Sequence, residues 1–136
     1  MKKLLFILSA FFIFCAHIFA FEAERIISFD SKMMANTDGS ALITETIEIN
    51  ADHRQIRRGI YRDIPRSGIG QIKPQSLFMD GKQHPFFTEN QGNYLRINFG
   101  NDDYISKGRH TYKLAYSVER ALNKVVIAGR VSGPVP

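Results

Sequence analysis

Beyond residue 20, the side chains best equipped for chemistry are His53, His84 and His110, a scatter of carboxylates and a run of arginines. No two of these histidines stand at the His-Glu-x-x-His spacing that places two imidazoles on one helix face, and the single cysteine, Cys15, lies upstream of them all. A nucleophile elbow needs Gly-x-Ser-x-Gly, and Arg66-Ser67-Gly68 lacks the first glycine. Asn101-Asp102-Asp103 has calcium-like oxygens, but no spaced ligands follow, so it reads as an acidic turn. Gly68-Ile69-Gly70 is too short and isolated to cradle a phosphate. Glu45 and Asp63 could form an acid/base pair, yet each has arginine close by. A guanidinium lowers a carboxylate pKa, the wrong direction for a general acid at neutral pH. The residues therefore predict no enzyme, no cofactor and no metal, with hydrolysis the least favoured activity.

The arginines are concentrated. Arg54, Arg57, Arg58, Arg62 and Arg66 fall between Asp52 and Pro65 or just after it, interleaved with Ile56, Ile60, Tyr61 and Ile64. One reading is a solvated basic loop crossing between two sheets. A second starts at Glu45, which alternation places on the same side as Ile43 and Ile47, where a carboxylate is desolvated unless paired. The planar fork of Arg58 or Arg62 is the expected partner. Removing one member of such a buried pair would cost on the order of 3–5 kcal/mol. A third reading is recognition: Arg54, Arg57, Tyr61 and Arg66 are of the types enriched at interface hot spots.

The elements that must position these groups read as strands. Residues 25–36 alternate, with Ile27, Phe29, Met33 and Ala35 on one side, the pattern of a half-buried strand. Asp38-Gly39 then supplies the positive backbone angles of a hairpin, and Ala41, Ile43, Ile47 and Ile49 alternate with Leu42, Thr44, Thr46 and Glu48. A second hairpin is expected from Leu77-Phe78-Met79 through Asp80-Gly81 to Pro85-Phe86-Phe87, with Pro85 holding its strand at an edge. Leu95, Ile97 and Phe99, and later Tyr112, Leu114, Tyr116 and Val118, repeat the alternation. No helical stripe is sustained. The expected fold is all-β, an antiparallel, immunoglobulin-like β-sandwich.

Composition agrees with one domain. The chain has 136 residues, 44% of them hydrophobic, with 18 Lys+Arg against 13 Asp+Glu and no Trp. One cysteine excludes an internal disulfide framework. Met1-Lys2-Lys3 followed by an uncharged run from Leu4 to Phe21 reads as an export signal over residues 1–20, cleaved after Ala20. The run also reaches the lower limit of a membrane span, so an uncleaved leader would anchor the protein. Phe14 before Cys15 argues against lipid attachment there. Residues 21–136 then form one Cys-free extracytoplasmic domain. Its modest positive charge gives no argument for nucleic acid.

A resemblance sharpens this picture. Asp38-Gly39-Ser40, Thr44-Glu45-Thr46-Ile47, Arg57-Arg58-Gly59-Ile60-Tyr61-Arg62-Asp63-Ile64-Pro65 and Gly108-Arg109-His110-Thr111-Tyr112 resemble the N-terminal domain of the YciQ-like predicted membrane proteins, over about residues 22–120. The resemblance implies a signal segment, an extracytoplasmic β-rich domain and later membrane helices, and no chemistry. The recognition reading of the stretch from Arg54 to Arg66 then expects contact with an envelope protein or with the remainder of a full-length membrane protein. After Arg120 the sequence departs from the family pattern, which continues into a Trp-containing strand. A truncated or frame-shifted member is therefore expected.

Overall fold

The computed structural model describes residues 22–121. The leader, its cleavage and the departure after Arg120 lie almost wholly outside these residues. Eight strands run β1 (Arg25–Ala35), β2 (Ala41–Ala51), β3 (Tyr61–Pro65), β4 (Ile72–Met79), β5 (Lys82–Gln83), β6 (Phe86–Gln91), β7 (Tyr94–Phe99) and β8 (Gly108–Val118). They form two antiparallel layers, one ordered β1-β2-β8-β4-β5 and the other β3-β7-β6. The fold is a β-sandwich, and its last described strand is central in the larger sheet.

Period-two alternation explains the central strands. On β2 the residues Ala41, Ile43, Glu45, Ile47 and Ile49 are buried while those between them are partly exposed. β8 answers in register, with Ile43 opposite Tyr116, Glu45 opposite Leu114 and Ile47 opposite Tyr112. Ile64, Leu95, Ile97 and Phe99 close the core from the smaller sheet. Burying an aliphatic or aromatic side chain contributes about 1.5–3 kcal/mol. With no cysteine among residues 22–121, this apolar contact carries the stability that a disulfide supplies elsewhere.

Three expectations require correction. The first hairpin forms, but Ala35 pairs with Ala41, so the connection is longer than a two-residue turn and only Gly39 has positive φ. Asp38 instead holds the loop by accepting from the Ser40 backbone N–H and hydroxyl. The tight turn is Asp80-Gly81, with φ of 52° and 77°, and it joins Met79 to Lys82. The returning strand of that hairpin is therefore β5, not Pro85-Phe86-Phe87. His84-Pro85 carries the chain to the other sheet, where β6 pairs with β7. Pro85 does precede an edge strand, but on the smaller sheet.

The third correction concerns β1. It is a strand, yet it is exposed along nearly its whole length rather than half-buried. A bulge between Ile26 and Ser28 also interrupts the alternation: Ile27, at the bulge, is the one residue of the strand that is partly buried, while Ile26 pairs with Ile49. Phe29 lies opposite Ile47 and Met33 opposite Ile43, so all three share the core face of the larger sheet. They are nevertheless 59%, 50% and 55% exposed, because the three-stranded sheet does not cover β1.

Candidate functional site

Among the described residues, the side of the sandwich between β1 and β3 is uncovered, and it brings together an apolar strip and a charged bridge. Glu45, 1% exposed, points from β2 into the core. Arg62 descends from β3, donating from Nε to Glu45 Oε2 at 2.8 Å and from Nη2 to Oε1 at 3.2 Å. The Tyr116 hydroxyl donates to the same Oε1 at 2.8 Å. Burial, and then the adjacent carboxylate, push the Tyr116 phenol above its ordinary pKa, so it stays a donor. Arg62 Nη1 donates to the Asp63 carbonyl at 2.7 Å, and the guanidinium carbon lies 5.4 Å from the centre of the Phe29 ring. Arg62 thus roofs the carboxylate and forms one wall of the exposed Phe29 strip.

The other arginines of the run are dispersed. Arg58 sits over the Tyr104 ring at 5.2 Å and has no part in the Glu45 pair. Arg54 Nε donates to Asp52, and Arg57 Nε donates to the His53 carbonyl. Arg66 donates to Asn90 at the opposite end of β3. Tyr61 is 58% exposed, on the outer face of the smaller sheet, where the Arg96 guanidinium stacks at 3.9 Å from its ring centre. Arg96 also grips Asp63 with two bonds of 2.8 Å, holding that carboxyl below its usual range. Asp63 and Glu45 therefore face different sides of β3 and form no acid/base pair.

Sequence reasoning missed Glu24. Its carboxylate accepts backbone N–H bonds from Asp52, Arg54, Gln55 and Ile56, clamping the arginine-rich loop to the start of β1. Burial pushes its pKa up, but the four donors together outweigh that and hold it at about 2. A four-donor clamp assembled across the fold leaves no local sequence signal.

A hydrolase-like grouping also appears. His110 Nδ1 lies 2.7 Å from Asp80 Oδ2, and Nε2 lies 3.2 Å from Ser106 Oγ. The same Nε2 is closer, at 2.8 Å, to the Ser106 carbonyl oxygen, so the imidazole bridges a carboxylate and a backbone acceptor. Thr111 N–H also donates to Asp80 Oδ1. The group ties the β4–β5 turn to the start of β8. A concave region on the outer face of the larger sheet, lined by Thr44, Thr46, Ser76, Phe78, Lys113 and Ala115, has one ionisable side chain, which is no convergent catalytic set. No group of three or more His, Cys, Asp or Glu suited to a metal occurs among the described residues.

The long β2 and β8 pair, the Arg-Gly-Ile-Tyr-Arg-Asp-Ile-Pro strand entry and the Glu45 bridge fall within a match to a family described as the predicted membrane protein (DUF2207) N-terminal domain, over residues 25–125. The chain belongs to this family. No curated protein matches it. In fold the DUF2207 domain is similar to part of native yeast LTA4 hydrolase, with a TM-score of 0.54 and 12% identity, covering 69% of this chain. The match spans only 14% of the hydrolase chain, so the likeness is one of β architecture. Among the described residues of the DUF2207 domain, no helix is long and apolar enough to cross a membrane.

Proposed function

We propose that the domain is a non-catalytic, extracytoplasmic interaction module whose open side, the β1 edge with its inner strip, receives a polypeptide strand. One observation carries this reading. Ile26, Phe29 and Met33 are exposed on the same face as Ile49, Ile47 and Ile43, which are buried. An apolar face beside a strand edge left unpaired among the described residues suits β-augmentation, in which the edge supplies backbone hydrogen bonds and the side chains supply selectivity. The basic start and uncharged run of residues 1–21 support export of the domain.

In-cell photo-crosslinking tests this. A benzophenone side chain at position 34, on exposed β1, should give protein adducts in cells exporting the full chain. The same group at Lys82 on β5 should give none. Adducts from β5 alone, or from neither site, would remove the reading. Of the dispersed residues Arg54, Arg57, Tyr61 and Arg66, Tyr61 offers a second candidate contact, favoured by its exposure. Benzophenone at position 61 separates the two.

A further inference from the structure

The partner of the β1 edge is identifiable from the edge itself, on the reading that β1 is the interaction surface. We propose that β1 pairs with β1 of a second copy of this chain, antiparallel about a two-fold axis at Ser31, extending the larger sheet across both copies.

The first ground is a comparison of sheet edges. β5 has only two residues, Lys82–Gln83. β3 ends in Pro65, and its Asp63 carbonyl is already capped by Arg62 Nη1. β6 follows Pro85 and is polar from Thr88 through Gln91. Short length, proline and occupied acceptors are devices that protect edges from pairing. β1 has 11 residues, no proline and one inner-face apolar strip; its edge charges are Arg25, Asp30 and Lys32.

The second ground is register. Paired residues in a continuous sheet must lie on the same face, so alternative two-fold registers differ by steps that move each outward residue to the next outward position. Centring the axis on Asp30 sets Asp30 against Asp30 of the other copy. Centring it on Lys32 sets Lys32 against Lys32. Both place like charges directly opposite, which destabilises a strand pair. Centring on Ser31 sets Asp30 opposite Lys32 twice. On the inner face that same register sets Phe29 opposite Met33 twice, a favourable sulfur–aromatic contact. Ser28 falls opposite Met34, and the bulge at Ile26–Ser28 lies at the end of the paired stretch. One register thus satisfies both charge and apolar matching, as an isologous contact requires.

The test uses the full chain, purified, with mass measured by light scattering across a concentration series. The parent should be dimeric at the upper end of the series. Asp30→Lys and Lys32→Asp, each alone, should weaken dimerisation roughly tenfold or more through like-charge pairs. The double exchange should restore it, with melting temperatures unchanged at the dilute, monomeric end of the series because both side chains are exposed. In a Cys15→Ala background, Ser31→Cys should form an intermolecular disulfide, since paired Cα atoms lie within disulfide range. Ser28→Cys should not. A parent monomeric throughout, or a double exchange that stays as weak as the singles, would overturn the proposal. A monomer that still gives β1 adducts to another protein would overturn the second copy alone and leave β1 as the interaction edge.

Discussion

Arg62 crosses from the smaller sheet to Glu45 in the larger one, with Nε 2.8 Å from Oε2, and it is the one arginine of the run that does so among the described residues. The pair is asymmetric: the Glu45 side chain is almost wholly buried, while Arg62 keeps about a third of its surface in solvent. Arg62→Ala should therefore cost about 3 kcal/mol, near the lower bound for a broken buried pair, because water can reach part of the gap. Arg58→Ala should stay within about 0.5 kcal/mol, since its contact is an exposed stack on Tyr104. Replacing the whole group with Glu45→Leu, Arg62→Met and Tyr116→Phe should recover most of the loss, because no polar atom is then stranded. Chemical denaturation of the four proteins checks this. Equal costs for Arg58 and Arg62 would refute the assignment.

Local pattern made the strands legible, and tertiary placement decided what the pattern could not. Ile43, Ile47 and Ile49 revealed the core face of β2 because period-two burial is a property of a single strand. The position of Glu45 on that face followed from the same alternation. Whether Arg58 or Arg62 would answer it depended on where β3 begins, and Tyr61 opening the strand turns Arg62 inward. β1 misled for a related reason: its alternation is real, but whether Phe29 and Met33 are covered depends on the width of the facing sheet. The strand that returns from β4 is not legible in the sequence, because a two-residue strand, Lys82–Gln83, has no periodicity to read.

His110 should prove structural rather than catalytic. Its ring joins Asp80 to the Ser106 carbonyl, holding the turn and β8 together. His110→Ala should destabilise by about 2 kcal/mol, from the cavity and from the unmet Asp80 and Ser106 groups. Ser106→Ala should leave the melting temperature unchanged, since Ser106 is exposed and its carbonyl remains. A fluorophosphonate probe should not label the protein. Labelling that disappears in Ser106→Ala would instead establish a nucleophile.

Backbone approach sets the strictest constraint at Gly59. A Cβ there would run into the Phe99 carbonyl oxygen, and its φ of +121° is one that other residues rarely adopt. Gly39 also has positive φ, at +84°, but a Cβ there meets nothing within 4 Å. Gly39→Ala should therefore cost about 1 kcal/mol, for conformation alone. Gly59→Ala should cost at least about 3 kcal/mol, because the sheet-to-sheet connection must shift as well. Thermal unfolding of the two variants side by side distinguishes strain from collision. Similar losses would show that the chain near Gly59 yields more readily than the close approach to Phe99 implies.

Glu24 ties acid sensitivity to the arginine-rich loop. Its carboxyl titrates near 2 when folded, against an ordinary value of 4.5, because the loop's four N–H donors overcome the opposing effect of burial. A pKa lowered by folding means the unfolded chain binds the proton first. The stabilisation is therefore complete above about pH 4.5 and is lost as pH falls towards 2. Glu24→Gln keeps an acceptor oxygen but loses the charge and the second oxygen, so it should melt below the parent at pH 7. The gap between the two should narrow steadily from pH 5 to pH 2.5, as the parent's carboxylate is neutralised. Hydrogen exchange at the Asp52, Arg54, Gln55 and Ile56 amides should quicken in the variant at pH 7, while the β8 amides remain protected. A gap that is the same at pH 7 and pH 2.5 would show that shape, not charge, makes the clamp.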